Sequence, residues 1–190
     1  GANLWSGASS SGSGVATSAG LCYGSLGSDT GGSIRFPSAA CGVVGLKPTW
    51  GRVSRYGVLA LAESLDHIGP MVRSAADAGI MLQAIAGQDP NDPTSLPDPV
   101  PDMLDGIGQG VNGLRIGLDE KYISGNTHSQ LVESVLSGIK TLEGLGAVIV
   151  PIQMPDISGY MEAWGVLCSA EALAAHEATY PSRRDDYGPW

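Results

Sequence analysis

Apolar residues recur at helical spacing in "SAADAGIMLQAIAG" (residues 74–87), where Ile80, Met81, Ala84 and Ile85 predict a helix with that face in the core. Ser74 stands at the N-cap, Asp77 at the capping-box position and Gly87 at the C-terminal stop. Further on, "LRIGL" (114–118) and "AVIVPI" (147–152) read as strands flanking an amphipathic helix over 128–146. Strand, helix and strand with short joints predict a right-handed βαβ unit and a parallel pair. A last helix is expected over 159–180, "GYMEAWGVLCSAEALAAHEATY", ended by Pro181. Near the start, a serine-rich turn precedes a helix expected from Ser11 to Leu21, and "CYGSLG" (22–27) reads as a short strand.

Between these halves lies "QDPNDPTSLPDPVPDM" (88–103), with five prolines and four aspartates. Proline fixes φ and removes a donor, so the stretch reads as an extended surface connection. The pattern divides a single domain into a core over 1–87, the proline-rich connection over 88–103, and a βαβ and helical section over 104–190. No internal repeat is visible.

Composition narrows the possibilities. With 190 residues, 43% hydrophobic and 15% charged, the chain has the profile of a folded domain with its own core. A net charge of -9 argues against a nucleic-acid surface, which needs a basic face, and gives no support for binding anionic lipid. No apolar run reaches the roughly 20 residues of a membrane helix. "GANLWSGASS" has neither the basic nor the apolar region of a signal peptide. Cys22, Cys41 and Cys168 are scattered without a CxxC, so they read as reduced, buried thiols of a cytoplasmic protein. The chain begins at Gly1 without methionine and runs straight into functional-looking sequence, as a piece of a longer protein would.

Candidate chemistry concentrates in "GSDTGGSIRFP" (27–37). Its glycines let the backbone approach a ligand closely and take positive φ. Tandem amides in such a loop can converge on one point and make a nest for developing negative charge. Ser33, behind two glycines, is then a hydroxyl beside an oxyanion site, which is a nucleophile's setting.

Other motifs fail. Arg35 stands where a G-x-S-x-G elbow needs its second glycine, and Ser33 stands where a phosphate loop needs its lysine. Ser137 and Lys140 match the permissive S-x-x-K, but on a surface-type helix. His67, His128 and His176 lack metal spacing and read as surface or capping residues. The aromatic residues near the loop, Tyr23, Phe36, Trp50 and Tyr56, read as core packing.

"GASSSGSG" (7–14) and "LGSDTGGSIRFPSAACGVVGLKPTWGRVSRYGVLALAESLDHIGP" (26–70) together resemble the amidase signature family. The likeness continues through Gly87 and "GQDPNDPTS" and is looser in the second half. It implies an α/β fold, an α/β/α layered arrangement around a mixed, partly parallel sheet, incomplete in this chain. It also implies hydrolysis of a small-molecule carboxamide by a Ser–cis-Ser–Lys triad with no metal or organic cofactor. Residue by residue, Ser33 resembles the nucleophile and Ser9 the bridging serine, with Ala8–Ser9 the cis peptide. The amides of Thr30, Gly31, Gly32 and Ser33 resemble the oxyanion hole, the two glycines keeping those amides bare. Ser10 resembles a supporting hydroxyl, and Asp29 and Arg35 the charged supports of the loop.

The family's catalytic lysine lies upstream of the bridging serine, and no lysine precedes Ser33 here. The resemblance therefore implies a fragment inactive on its own, with Lys47 a structural position and only a minor substitute base. Two other readings stay open. One is the glutaminase subunit of a tRNA-dependent amidotransferase, although "SIRFP" and "KPTWG" lean towards a stand-alone amidase. The other is a non-catalytic domain that keeps the loop as scaffold. A homo-oligomer, or missing segments of the same enzyme, are the partners this implies.

Overall fold

The structure is a computed structural model that describes residues 4–188; Gly1 to Asn3 of the opening segment and the last two residues lie outside it. The elements run α1 (Ser11–Ser18), β1 (Gly24–Asp29), α2 (Arg35–Cys41), β2 (Val44–Gly45), β3 (His67–Val72) and α3 (Ala75–Ile85). They continue with β4 (Arg115–Leu118), α4 (Glu120–Ser124), α5 (Ser129–Gly144), β5 (Val148–Pro151), α6 (Ser158–Ala175) and a 3₁₀ turn at Arg184–Asp186. Two compact units result, one from residues up to 105 together with those from 160 onward, the other from residues 106–159.

In the first unit the strand order is β1-β3-β2, all antiparallel, with Gly24 opposite Val72 and Asp29 opposite His67. Side chains alternate across a strand, so β3 serves two faces. Ile68 packs with Val53 and Leu82 of α3, and Val72 lies on the same side near Met81. On the other face Met71 meets Ile34 and the glycine-smoothed side of α1 at Gly14. Helices thus cover both faces, the expected α/β/α layering. Ile34 and Met71 are completely buried, and each such side chain contributes roughly 1.5–3 kcal/mol relative to exposure. Gly69 is required by contact: a methyl there would run into the Leu46 carbonyl.

The α3 N-cap forms as expected, Ser74 accepting from the Asp77 N–H at 3.0 Å. The buried face of α3 is different from the expected one. Ala78, Gly79 and Leu82 are buried, whereas Ile80 is 55% exposed and Ala84 lies in solvent. Periodicity identified the helix, but β3 and Met103 select which stripe turns inward. α1 stops at Ser18 rather than Leu21, and β1 begins two residues later than "CYGSLG" suggested. α2 has Pro37 in its first turn, where no helical N–H is lost, and stops at Gly42 with φ +68°.

The connection over 88–103 has no helix or strand, but it is not a plain surface strap. Asp92 and Ser95 are buried. The Asp92 carboxylate accepts from the Arg55 N–H and from Thr94, and the Ser54 hydroxyl donates to Asp89.

In the second unit β4 and β5 pair in parallel, Arg115 opposite Val148, with α5 between them in sequence as the spacing predicted. His128 caps α5 through Nδ1, which accepts from the Gln130 N–H. α4 was not foreseen; Asp119 caps it by accepting from the Tyr122 N–H. α6 ends at Ala175, six residues short of Pro181, and the chain turns through a cis Tyr180–Pro181 bond. No described helix is long and apolar enough to cross a membrane.

Candidate active site

The loop leaving β1 is built around Asp29, which is 1% exposed. Its Oδ1 accepts from the Gly32 N–H at 2.7 Å and from Arg35 Nη2 at 2.9 Å. Its Oδ2 accepts from Arg35 Nε at 3.0 Å and from the Ile34 and Arg35 N–H groups. Burial pushes the Asp29 carboxyl up, but the Arg35 bonds and the Ile34 and Gly32 amides outweigh it and hold the group below its usual range. Asp29 in turn raises the Arg35 guanidinium.

Successive peptide planes of the loop are pinned. In a trans peptide the carbonyl and the N–H point in opposite directions, so fixing one aims the other. His67 Nδ1 lies 3.1 Å from the Asp29 carbonyl and 2.6 Å from that of Leu65, which requires a proton on Nδ1 and turns the Thr30 N–H away. The Gly32 carbonyl accepts from the Phe36 N–H at 2.7 Å, aiming the Ser33 N–H outward from α2. The Ser33 carbonyl accepts from the Ser10 N–H at 3.1 Å. Among the described residues, the N–H groups of Thr30, Gly31 and Ser33 have no protein acceptor.

Two corrections follow for the glycines. The Gly32 amide, read as one of four oxyanion donors, is donated to Asp29. Gly32 is required by its φ of +129° and by the Phe36 ring, against which a Cβ would collide. Gly31 has no positive φ; it is small because the Trp164 indole of α6 lies on it, with Cζ2 2.5 Å from where a methyl would sit.

The Ala8–Ser9 peptide is cis, following Gly7 at φ +82°. Ser10 both donates to the Ser28 carbonyl and accepts from the Ser28 N–H, tying this segment to β1. The structure therefore brings residues 9–10 against Ser33 through the Ser10–Ser33 backbone bond. The hydroxyls of Ser9 and Ser33 make no hydrogen bond among the described residues, and Ser33 is half-buried. Lys47 donates to the Pro48 carbonyl at 2.9 Å rather than to either serine. Its ammonium is pulled below the ordinary lysine value, first by burial and then by Arg35, with Asp29 opposing.

Sequence reasoning missed several contributors. Asp66, 5% exposed, accepts from the Thr30 hydroxyl at 2.5 Å and from the Leu61 and Ala62 N–H groups, a second carboxylate under the loop. Its position inside "ESLDHIGP" was the available signal. His67 is a half-buried brace, not a surface residue. Trp164 lay 134 residues from Thr30 and had no local signature. The aromatics are not core: Tyr23 is 92%, Tyr56 68% and Phe36 54% exposed, while Trp50 is half-buried beneath the Arg55 guanidinium. Two turns beyond Trp164, Glu171 accepts from the Ser64 N–H and hydroxyl and lines an open cavity of about 490 Å³ with Trp50, Arg55 and Thr94. The three cysteines are unpaired, but half-buried rather than buried. No cluster of three metal-binding side chains occurs among the described residues.

The model of the Amidase family matches residues 1–186. The chain belongs to the amidase family. It is 48% identical over 166 residues to a glutamyl-tRNA(Gln) amidotransferase subunit of Akkermansia muciniphila, covering 87% of this chain and 35% of that protein. It is 47% identical over 188 residues to a putative amidase, AmiD, of Mycobacterium bovis, covering 97% of this chain and 38% of that one. Among solved structures, the corresponding amidotransferase subunit of Thermotoga maritima superposes with a TM-score of 0.85 at 39% identity, over 96% of this chain and 40% of that chain. The peptide amidase of Stenotrophomonas maltophilia superposes with a TM-score of 0.78 at 39% identity, over 95% and 38%. This amidase chain thus spans well under half the length of these relatives.

Proposed function

We infer that these residues carry the nucleophile and oxyanion half of an amide hydrolase. Ser33 attacks the carboxamide carbon, and its proton passes through Ser9 to a lysine base outside the 190 residues. The Thr30, Gly31 and Ser33 N–H groups receive the oxyanion. Collapse breaks the C–N bond, the proton returns through Ser9 to the leaving amine, and water resolves the acyl-enzyme. The observation that carries this reading is the set of pinned peptide planes, which among the described residues leaves three amides without protein acceptors beside a Ser33 hydroxyl that makes no hydrogen bond. Residues 1–190 alone turn over little or nothing, since among the described residues no lysine hydrogen-bonds to the Ser9 or Ser33 side chain and Lys47 donates to the Pro48 carbonyl.

The test is a fluorophosphonate probe on the full-length protein. A Ser33 adduct in the mass spectrum that disappears in Ser33→Ala supports the reading. A wild type that stays unlabelled, or a variant labelled equally, overturns it. Relatives of both kinds, amidase and amidotransferase subunit, resemble the chain. Ammonia release from glutamine, dependent on co-purifying subunits, would select the second.

A further inference from the structure

Trp164 projects from α6 onto the candidate oxyanion loop. Its indole Nε1–H donates to the Thr30 carbonyl at 3.1 Å, and its six-membered ring rests against the Gly31 α-carbon. Of the peptide units in this loop, the one between Thr30 and Gly31 is joined to the rest of the protein only by this indole bond among the described residues. The next plane is held by Asp29 through the Gly32 N–H, and the following two by Phe36 and Ser10. The Thr30–Gly31 bond is trans, so its carbonyl and N–H are antiparallel. Drawing the Thr30 carbonyl towards Trp164 therefore aims the Gly31 N–H in the opposite direction.

We propose that Trp164 is a positioning residue that sets the direction of the Gly31 amide, one of the donors to the oxyanion. The proposal rests on the functional reading above and extends it to a residue on a distant helix. α6 is itself fixed where it must be. Seven residues after Trp164, and so on the same side of the helix, Glu171 accepts from the Ser64 N–H at 2.9 Å and from its hydroxyl at 2.6 Å. Ser64 lies two residues before Asp66, whose carboxylate receives the Thr30 hydroxyl. Side chain and main chain of Thr30 are thus held from two directions, by Asp66 and by Trp164. This also accounts for glycine at 31: any side chain would displace the indole, and with it the bond that orients the plane.

A donor that acts on the oxyanion alters the chemical step and not the prior encounter. The test is the fluorophosphonate reaction of full-length protein, resolved into the saturating rate constant and the half-saturating probe concentration, with adduct stoichiometry read by mass. Trp164→Phe keeps an aromatic ring on the loop and removes the N–H donor. The expected result is a saturating rate roughly five- to tenfold lower, as one net hydrogen bond allows, with half-saturation within about twofold of wild type. A merely structural role would lower only the fraction of molecules labelled, with the rate of those that react unchanged. That outcome, or a shift in half-saturation alone, overturns the proposal.

A second pair keeps the test decisive if Trp164→Phe folds poorly. Gly31→Ala is expected to slow labelling about 100-fold in the wild-type background, but by less than about threefold when added to Trp164→Ala. Equal losses in the two backgrounds overturn the proposal. If wild type is labelled at Ser33 and Ser33→Ala is not, the functional reading stands whatever Trp164 does. If wild type is not labelled at all, both fall.

Discussion

The two units of the chain handle their backbones in opposite ways. In the first, Ile34 and Met71 are wholly buried, and the loop between β1 and α2 is held by Asp29, Asp66, His67, Ser10 and Trp164. In the second, Ala147 is the one buried residue among those described, and no residue of α5 is buried. Both contain regular elements with well-formed caps. Only the first combines close packing with side chains that fix individual peptide planes. Oriented amides are useful to a reaction only where reorganisation has been suppressed beforehand. The contrast therefore says where chemistry can be supported in this chain.

The contrast can be broken at several points. The largest expected effect is on turnover. Gly32→Ala forces a Cβ into the Phe36 ring at a φ of +129° and loosens the Asp29 contact, so the amide hydrolysis proposed for the full-length protein should fall about 10²–10³-fold. Initial rates would measure it, and a loss below about tenfold would mean that the loop tolerates redirection. Next comes packing. Met71→Ala should destabilise the first unit by about 2–5 kcal/mol in urea titration.

Asp29→Asn should cost about 2 kcal/mol at neutral pH, because it leaves the guanidinium and the loop amides with a weaker acceptor. The carboxyl of Asp29 is held below its unfolded value, so its contribution is complete above that value and fades as pH falls through the lowered one. The stability difference between wild type and Asp29→Asn should thus be constant from neutrality to about pH 5 and shrink below about pH 4. A difference that grew in acid would contradict the ion-pair account. The smallest effect belongs to the second unit. Leu131 on α5 is 57% exposed, and Leu131→Ala should cost less than about 1 kcal/mol. A loss equal to that of Met71→Ala would erase the distinction between the units.

Local signals were legible and long-range ones were not. Ser74 and Gly87 marked the ends of α3, and the strand–helix–strand spacing found the parallel pair β4–β5. Those features depend on residues close together in the chain. Which stripe of α3 is buried depends on β3 and Met103, so Ile80 was misassigned. The proline-rich run hid two buried residues, Asp92 and Ser95, because their partners Arg55 and Asp89 carry no common pattern. Within the site, Ser33, Asp29 and Arg35 were read together because they are neighbours in sequence. Asp66, His67 and Trp164 act on the same loop from positions 36 to 134 residues away.

The serine run before α1 has one further consequence. β1 is one of the two outer strands of its sheet; the Ser10 hydroxyl engages both the carbonyl and the N–H of Ser28, and the Ser13 hydroxyl donates to the carbonyl of Leu26. Hydroxyls thereby take part of the place that another molecule's strand would fill, and the β1 border is blunted against edge-on self-association without a proline or a lysine on that strand.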